Sequence, residues 1–248
     1  RARRAHGRAA AEGLQDLEQQ VAQNPTVRRL WREYQAARSK ARYIDELPDP
    51  KLGANIFLSP IETAAGSQRA NLTVSQLIPW LPRLDAQAQQ ACFEATSLWQ
   101  VYVSRQLKIT ADLRASWYQL YQISKELETN RSNQELLESL LEVANAQVAT
   151  GTAGQGDVLA GTLEYSKLEA RAITLKRHLA TTKSQLNRLI GRDIGTPIEV
   201  PSELPVRLPD WDLELLRSLA WEHQPDIEAA RLRRQASRWG VEVAKLKR

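Results

Sequence analysis

Stepping alternately three and four residues from Trp99, the chain meets Tyr102, Gln106, Ile109, Leu113, Ser116, Leu120, Ile123, Leu127, Asn130, Gln134, Leu137, Leu141, Ala144 and Val148. Eleven of these fifteen positions are apolar or aromatic. No proline lies between Pro82 and Pro197 and no glycine between Gly66 and Gly151, so nothing in residues 84–149 breaks a helix. The pattern predicts one helix of about 99 Å at 1.5 Å per residue. Gly151, Gly154, Gly156 and Gly161 then mark a reversal. A return stretch over residues 157–190 repeats the spacing, with Val158, Gly161, Tyr165, Leu168, Ala172, Leu175, Leu179, Thr182, Leu186 and Leu189. A 3.5-residue period kept over several heptads predicts a left-handed coiled coil, here a long antiparallel hairpin. Leu136, Leu140, Val143, Leu159 and Leu163 add a second apolar stripe near the reversal, which predicts neighbours on two sides.

The return arm covers about 51 Å, leaving roughly 48 Å of the first helix without a partner. Residues 14–42 supply a helix of about 43 Å, with Leu14, Leu17, Val21, Val27, Leu30, Trp31 and Tyr34 at amphipathic spacing. Asn24 before Pro25 predicts a break and restart, asparagine capping and proline in the first turn. In residues 43–83 the period changes to two. Leu52, Ala54, Ile56 and Leu58 alternate with Gly53, Asn55 and Phe57, and Leu72 and Val74 alternate with Thr73 and Ser75. This predicts antiparallel strands at 52–58 and 72–78 joined by residues 59–71, part of a larger sheet, since two strands alone are marginal in water. The alternation also suits a membrane β-barrel strand.

Residues 192–211, with Pro197, Pro201, Pro205 and Pro209, read as an extended connector. Residues 212–248 return to helix, and a shift of 200 aligns Pro25 with Pro225, Gln35 with Gln235, Ala36 with Ala236 and Arg38 with Arg238. A second copy of the 14–42 helix is expected to begin there, cut short.

Charge narrows the functions. The formal net charge is +5, but residues 1–42 carry ten Lys/Arg against four Asp/Glu, residues 43–225 seventeen against twenty-two, and residues 226–248 seven against three. A mildly acidic middle disfavours a nucleic-acid groove, which needs clustered cations. Residues 1–13 read as a basic flexible tail, or alternatively as a polyanion-binding arm. The one cysteine, Cys92, excludes an intrachain disulfide and reads as a packed thiol beside Ala91 and Ala95. No apolar run is long enough for a membrane helix. His6, His178 and His223 are scattered, so no metal site is expected. Gly151 to Asp157 lacks the Gly-Lys-Ser/Thr ending of a phosphate loop and follows a helix, so neither nucleotide nor any other cofactor is expected. No local nucleophile and base pair appears, and an enzyme is not expected.

The motifs Asn24-Pro25, Leu47-Pro48-Asp49-Pro50, Ser75-Gln76-Leu77-Ile78-Pro79-Trp80, Gly151 followed by Asp157-Val158-Leu159, Leu189-Ile190-Gly191 and Gln224-Pro225-Asp226 occur in an order that resembles the TolC-type outer-membrane efflux protein family. The likeness spans residues 14–248 and matches the first of two tandem repeats. It implies a mainly α protomer whose long hairpin joins an α-helical barrel in the periplasm and whose two strands join a β-barrel in the outer membrane. A homotrimer is implied, docking on a periplasmic adaptor driven by an inner-membrane pump. Leu52, Ala54, Ile56, Leu58, Leu72 and Val74 are expected to face membrane lipid. Trp80 fits either the aromatic girdle or the core. The tip is expected at residues 150–157, with Gly151, Thr152, Gly154, Asp157, Val158 and Leu159 as adaptor contact or gate. Gly154-Gln155 departs from the family's small-polar-then-bulky pair. Asp157 suits two roles, cap of the return helix and gate near the tunnel constriction. Two other readings stay open: a soluble coiled-coil adaptor or scaffold, and a basic coiled coil that binds anionic membranes through residues 1–42.

Overall fold

A computed structural model describes residues 13–63, 66–200, 204 and 212–246. Most of the expected tail at 1–13, His6, residues 201–203 and 205–211 of the connector, and the last two residues lie outside the described residues. The elements are α1 (Leu14–Gln20), a 3-10 turn (Val21–Gln23), α2 (Pro25–Tyr43), β1 (Lys51–Thr63), β2 (Gly66–Ser75), α3 (Leu81–Ala149), α4 (Gln155–Ile190), α5 (Leu213–His223) and α6 (Pro225–Lys245). The fold is mainly α with one two-stranded antiparallel sheet among the described residues. The chain divides into two compact units, residues 1–28 with 105–212, and residues 29–104 with 213–248; α3 contributes to both.

In the first unit α3 and α4 form the hairpin. All the heptad positions from Gln106 to Val148, and all ten on α4, are buried or half-buried. That is the result expected when a 3.5-residue stripe on each helix faces its partner. The distal part is two helices thick, and near its base α1 packs on α3 and α4. Leu17, Leu113, Leu120, Leu186 and Ile190 are fully buried there, each worth about 1.5–3 kcal/mol of transfer free energy. Glu18 clamps Arg114 across α1 and α3, with Oε1 to Nε at 2.5 Å and Oε2 to Nη2 at 3.2 Å. The hydrogen bond to Glu18 and its negative charge raise the Arg114 pKa above its ordinary value.

The Asn24-Pro25 and Leu189-Ile190-Gly191 motifs meet in this unit. Asn24 Oδ1 accepts from the Thr26 backbone N–H at 2.8 Å, capping α2, while its Nδ2 donates to the Leu189 carbonyl at 2.9 Å. Gly191, at φ +76°, ends α4 in a Schellman turn: its N–H bonds the Arg188 carbonyl, and the Arg192 N–H bonds that of Asn187. A β-carbon at Gly191 would lie 3.0 Å from the Gln23 carbonyl oxygen and 3.2 Å from Pro25 Cδ. The bare glycine is therefore required twice, by its dihedral and by the neighbouring backbone.

In the second unit α2 and α6 pack on different flanks of α3. On α2, Trp31 and Tyr34 stack with Trp99 and Tyr102 at centroid distances of 5.2–6.0 Å. On α6 the interface is built of small residues. Ser97 Oγ donates to the Ala229 carbonyl at 3.2 Å, and Gly240 would place a β-carbon 3.5 Å from Gln90. Residues 90 and 97 lie about half a turn around α3 from Trp99, so α3 sits between its neighbours. Cys92 is exposed, contrary to the packed thiol expected, because Ala91 and Ala95 take the core side and one step along the helix turns the thiol outward. α6 opens at Pro225 as α2 opens at Pro25, and α5 precedes it as α1 and the 3-10 turn precede α2. α5 buries none of its residues, and Leu213, Leu215, Leu219 and Trp221 are exposed.

Candidate functional site

The β-hairpin in the second unit and the helical tip in the first hold the residues singled out in the sequence. β1 and β2 pair in register, with Leu52 opposite Val74, Ala54 opposite Leu72 and Ile56 opposite Ala70. Directly opposed residues share a face, so these six apolar side chains form one surface. On the other face Lys51 opposes Ser75, Gly53 opposes Thr73 and Asn55 opposes Asn71. The apolar face is bare: Leu52 is 76% and Leu72 is 75% exposed, and Ile56, Leu58 and Val74 are exposed as well. The strands run further than the predicted 52–58 and 72–78. Residues 59–71 are largely strand rather than a connection, β2 begins at Gly66 and stops at Ser75, and a register irregularity lies between Ile56 and Ile61. Pro60 inside β1 masked the continuation in the sequence, since proline removes a ladder donor and is tolerated at edges and bulges. The alternation of Leu72 and Val74 extends back to Ala70, but the polar Ser67, Gln68 and Arg69 before it hide the start of the second strand.

Trp80 lies beyond β2, 65% exposed, at the start of α3, where its carbonyl accepts from the Arg83 and Leu84 N–H groups. Tyr43, Leu47, Leu77, Ile78 and Leu81 are also exposed in the segments flanking the hairpin. Gln76 Nε2 donates to the Pro48 carbonyl at 2.9 Å, tying the two connections together.

At the tip, Gly151 has φ +75° and forms the same Schellman turn as Gly191, with its N–H on the Val148 carbonyl and the Thr152 N–H on that of Gln147. The Thr152 hydroxyl also reaches the Gln147 carbonyl, at 3.0 Å. Gly154 is the N-cap of α4 and has no side chain to offer. Asp157 is thus not the cap. It sits at the third helical position, its N–H bonded to the Gly154 carbonyl, where its carboxylate still complements the positive helix end. Val158 is half-buried on the heptad stripe, and Leu159 is exposed, as are Leu163, Leu136, Leu140 and Val143. Among the described residues no group of three or more metal-ligating side chains is present, and no helix is long and apolar enough to cross a membrane.

These geometries can be set against known structures. The chain resembles the outer membrane protein VceC of Vibrio cholerae with a TM-score of 0.76 and 19% identity, over 94% of this chain and 58% of that one. It resembles a membrane protein from Pseudomonas aeruginosa with a TM-score of 0.80 and 17% identity, over 99% of this chain and 62% of that one. The chain has the fold of the TolC-type outer-membrane channels. A third member of that fold, the open state of the MtrE outer membrane channel of Neisseria gonorrhoeae, matches with a TM-score of 0.71 and 17% identity, over 94% of this chain and 54% of that one. The chain therefore spans between about half and two thirds of the length of these TolC-type structures. No protein-family model and no curated protein matches the sequence.

Proposed function

We propose that the chain is the first-repeat part of an outer-membrane channel subunit, a passive conduit for efflux or secretion. The observation that carries the reading is the hairpin, with six apolar residues on one face, a polar opposite face and no cover on the apolar side among the described residues. In water such a surface is a liability; in a closed β-barrel it faces lipid while the polar face lines the lumen. The fold supports the same reading, because solved structures that share it are an outer membrane protein and an outer membrane channel.

In this reading three copies close both barrels in the outer membrane and periplasm, and each brings α5 and α6 as the start of a second repeat. The exposed Leu136, Leu140, Val143, Leu159 and Leu163 pack against neighbouring hairpins. Gly151, Thr152, Gly154, Asp157, Val158 and Leu159 form the tip that meets a periplasmic adaptor, itself coupled to an inner-membrane pump. Opening is a population shift, driven by partners that bind the dilated tip more tightly than the closed one.

The test is insertion of the complete protein into liposomes. Leu72→Arg places a cation on the lipid face, at a cost of about 2–4 kcal/mol per copy near the bilayer centre, and is expected to abolish insertion. Thr73→Arg, one residue away on the polar face, is expected to insert. Equal insertion of both variants would refute the assignment of the faces. For the tip, Asp157→Ala is expected to raise leak conductance of the inserted channel, and unchanged conductance would leave Asp157 with a helix-end role alone.

A further inference from the structure

α6 turns a different face to α3 from the one α2 turns. The alignment of Pro25 with Pro225, Gln35 with Gln235, Ala36 with Ala236 and Arg38 with Arg238 makes the two helices comparable position by position. On α2 the covered side is Leu30, Tyr34, Ala37 and Ala41, with Tyr34 stacked on Trp99 of α3. On α6 the covered side is Ala229, Leu232, Ala236 and Gly240, with the Ala229 carbonyl bonded to Ser97 and Gly240 against Gln90. At about 100° per residue the two stripes lie more than a third of a turn apart. The α6 positions that match the covered side of α2 are Ala230, Arg234, Ser237 and Val241, and all four are exposed. One face of α6 is therefore seated on α3, and the face equivalent to the buried side of α2 is bare.

The bare face is charged at its centre. Arg234 stands where α2 has Tyr34, and Arg231 where it has Trp31. The residues three and four positions from Arg234 are Ala230, Arg231, Ser237 and Arg238, so its own helix offers it no carboxylate and two like charges. Like charges at this spacing destabilise a helix. Arg231 pairs with Glu228 at 3.4 Å and Lys245 with Glu242 at 2.7 Å, whereas Arg234 has no ion pair and no side-chain hydrogen bond among the described residues. Ala230 and Ser237 leave room for a helix to come close and Val241 gives it apolar contact, but burying Arg234 between them requires a negative partner.

We propose that this face of α6 seats a helix that brings an aspartate or glutamate to Arg234, supplied by the second repeat of the same chain beyond residue 248. The repeat identifies the occupant. α2 is covered by the long helix that follows it, and α6 is the second copy of α2. Charge identifies the chemistry of the contact. An aromatic pair like Trp99 and Tyr102 suits Trp31 and Tyr34, but it would leave Arg234 a desolvated cation. The proposal rests on the second-repeat part of the channel reading and needs neither transport nor membrane insertion.

The test is carbodiimide crosslinking of the complete protein carrying Arg234→Lys, with the products mapped by mass spectrometry. The substitution keeps the cation and supplies an amine that this reagent joins only to a carboxylate in contact with it. Lys245 and Glu242 serve as the internal positive control. An amide is expected between residue 234 and an aspartate or glutamate beyond residue 248 of the same chain, and none is expected from Gln235→Lys, one step further round the helix. Mixing isotope-labelled with unlabelled protein separates links within a chain from links between copies. A link to a second copy overturns the proposal, as does a link to a carboxylate within residues 1–248 or an equal yield from Gln235→Lys. So does the absence of any link at residue 234 while Lys245 and Glu242 are joined. Insertion and conductance play no part in this readout, so failure of the channel reading would leave the result unchanged.

Discussion

Gly151 and Gly191 offer a matched pair for testing the junction between α4 and the Asn24-Pro25 turn. Both close a long helix in a Schellman motif, at φ +75° and +76°. Replacing either by alanine forces a β-carbon into the left-handed region at about 1–2 kcal/mol. There the likeness ends. A β-carbon at Gly151 meets nothing within 4 Å, whereas at Gly191 it meets the Gln23 carbonyl oxygen at 3.0 Å, Pro25 Cδ at 3.2 Å and Asn24 Cα at 3.3 Å. These are backbone and ring atoms that cannot rotate aside, and overpacking of this kind costs about 1–3 kcal/mol. Gly151→Ala should therefore lose about 1–2 kcal/mol and Gly191→Ala about 2–5 kcal/mol. For a chain of this size each kcal/mol lowers the melting midpoint by about 2–4 °C. Thermal and urea unfolding of both variants, followed by far-ultraviolet circular dichroism in one buffer, reads the difference. Equal losses, within about 0.5 kcal/mol, would refute the close approach of Gly191 to the Gln23–Pro25 backbone.

Asn24→Ala removes both the cap on Thr26 and the bond to the Leu189 carbonyl, and is expected to cost about 1–3 kcal/mol in the same unfolding assay. Arg114→Ala removes a bidentate but partly exposed pair and should cost no more than about 1 kcal/mol, a loss that added salt reduces. Hydrogen bonding to Lys125 lowers the pKa of Glu128. A carboxylate whose pKa is depressed on folding contributes stability above its ordinary pKa and loses it as pH falls through the lowered folded value. Glu128→Gln should thus match the parent at low pH and lie slightly below it above the ordinary carboxylate pKa, flattening the acid side of the profile, as urea unfolding across pH would show. Gly161→Ala meets only the flexible end of Leu141, so it should cost less than Gly191→Ala despite the shorter 2.7 Å approach, as parallel melts would show.

Periodicity made the helical hairpin legible. Over residues 106–148 and 158–189 the stripe predicts which side chains are covered, because a 3.5-residue spacing leaves one seam for a partner helix. Punctuation did the same for the turns, since only glycine is comfortable at the positive φ of residues 151 and 191. The strands were read less well. Pro60 and the polar Ser67, Gln68 and Arg69 hid the length of the hairpin, and period two is a weak signal over four residues. Asp157 was misplaced as a cap because cap preference is a statistical trend, while the actual cap is the glycine three residues earlier.

The sequence by itself determined the long helices, the stripe along which the hairpin helices meet, the presence of a strand pair between helices, and where the chain reverses, for these follow from spacing and local backbone preference. Tertiary structure alone decided that Asn24 binds the Leu189 carbonyl 165 positions away, that Gly191 must be bare because Gln23 and Pro25 lie against it, and that Asn130 meets Leu168. The physical reason is the same in each case. A hydrogen bond or a steric limit depends on what approaches from a distant segment, and no local period or propensity records that distance.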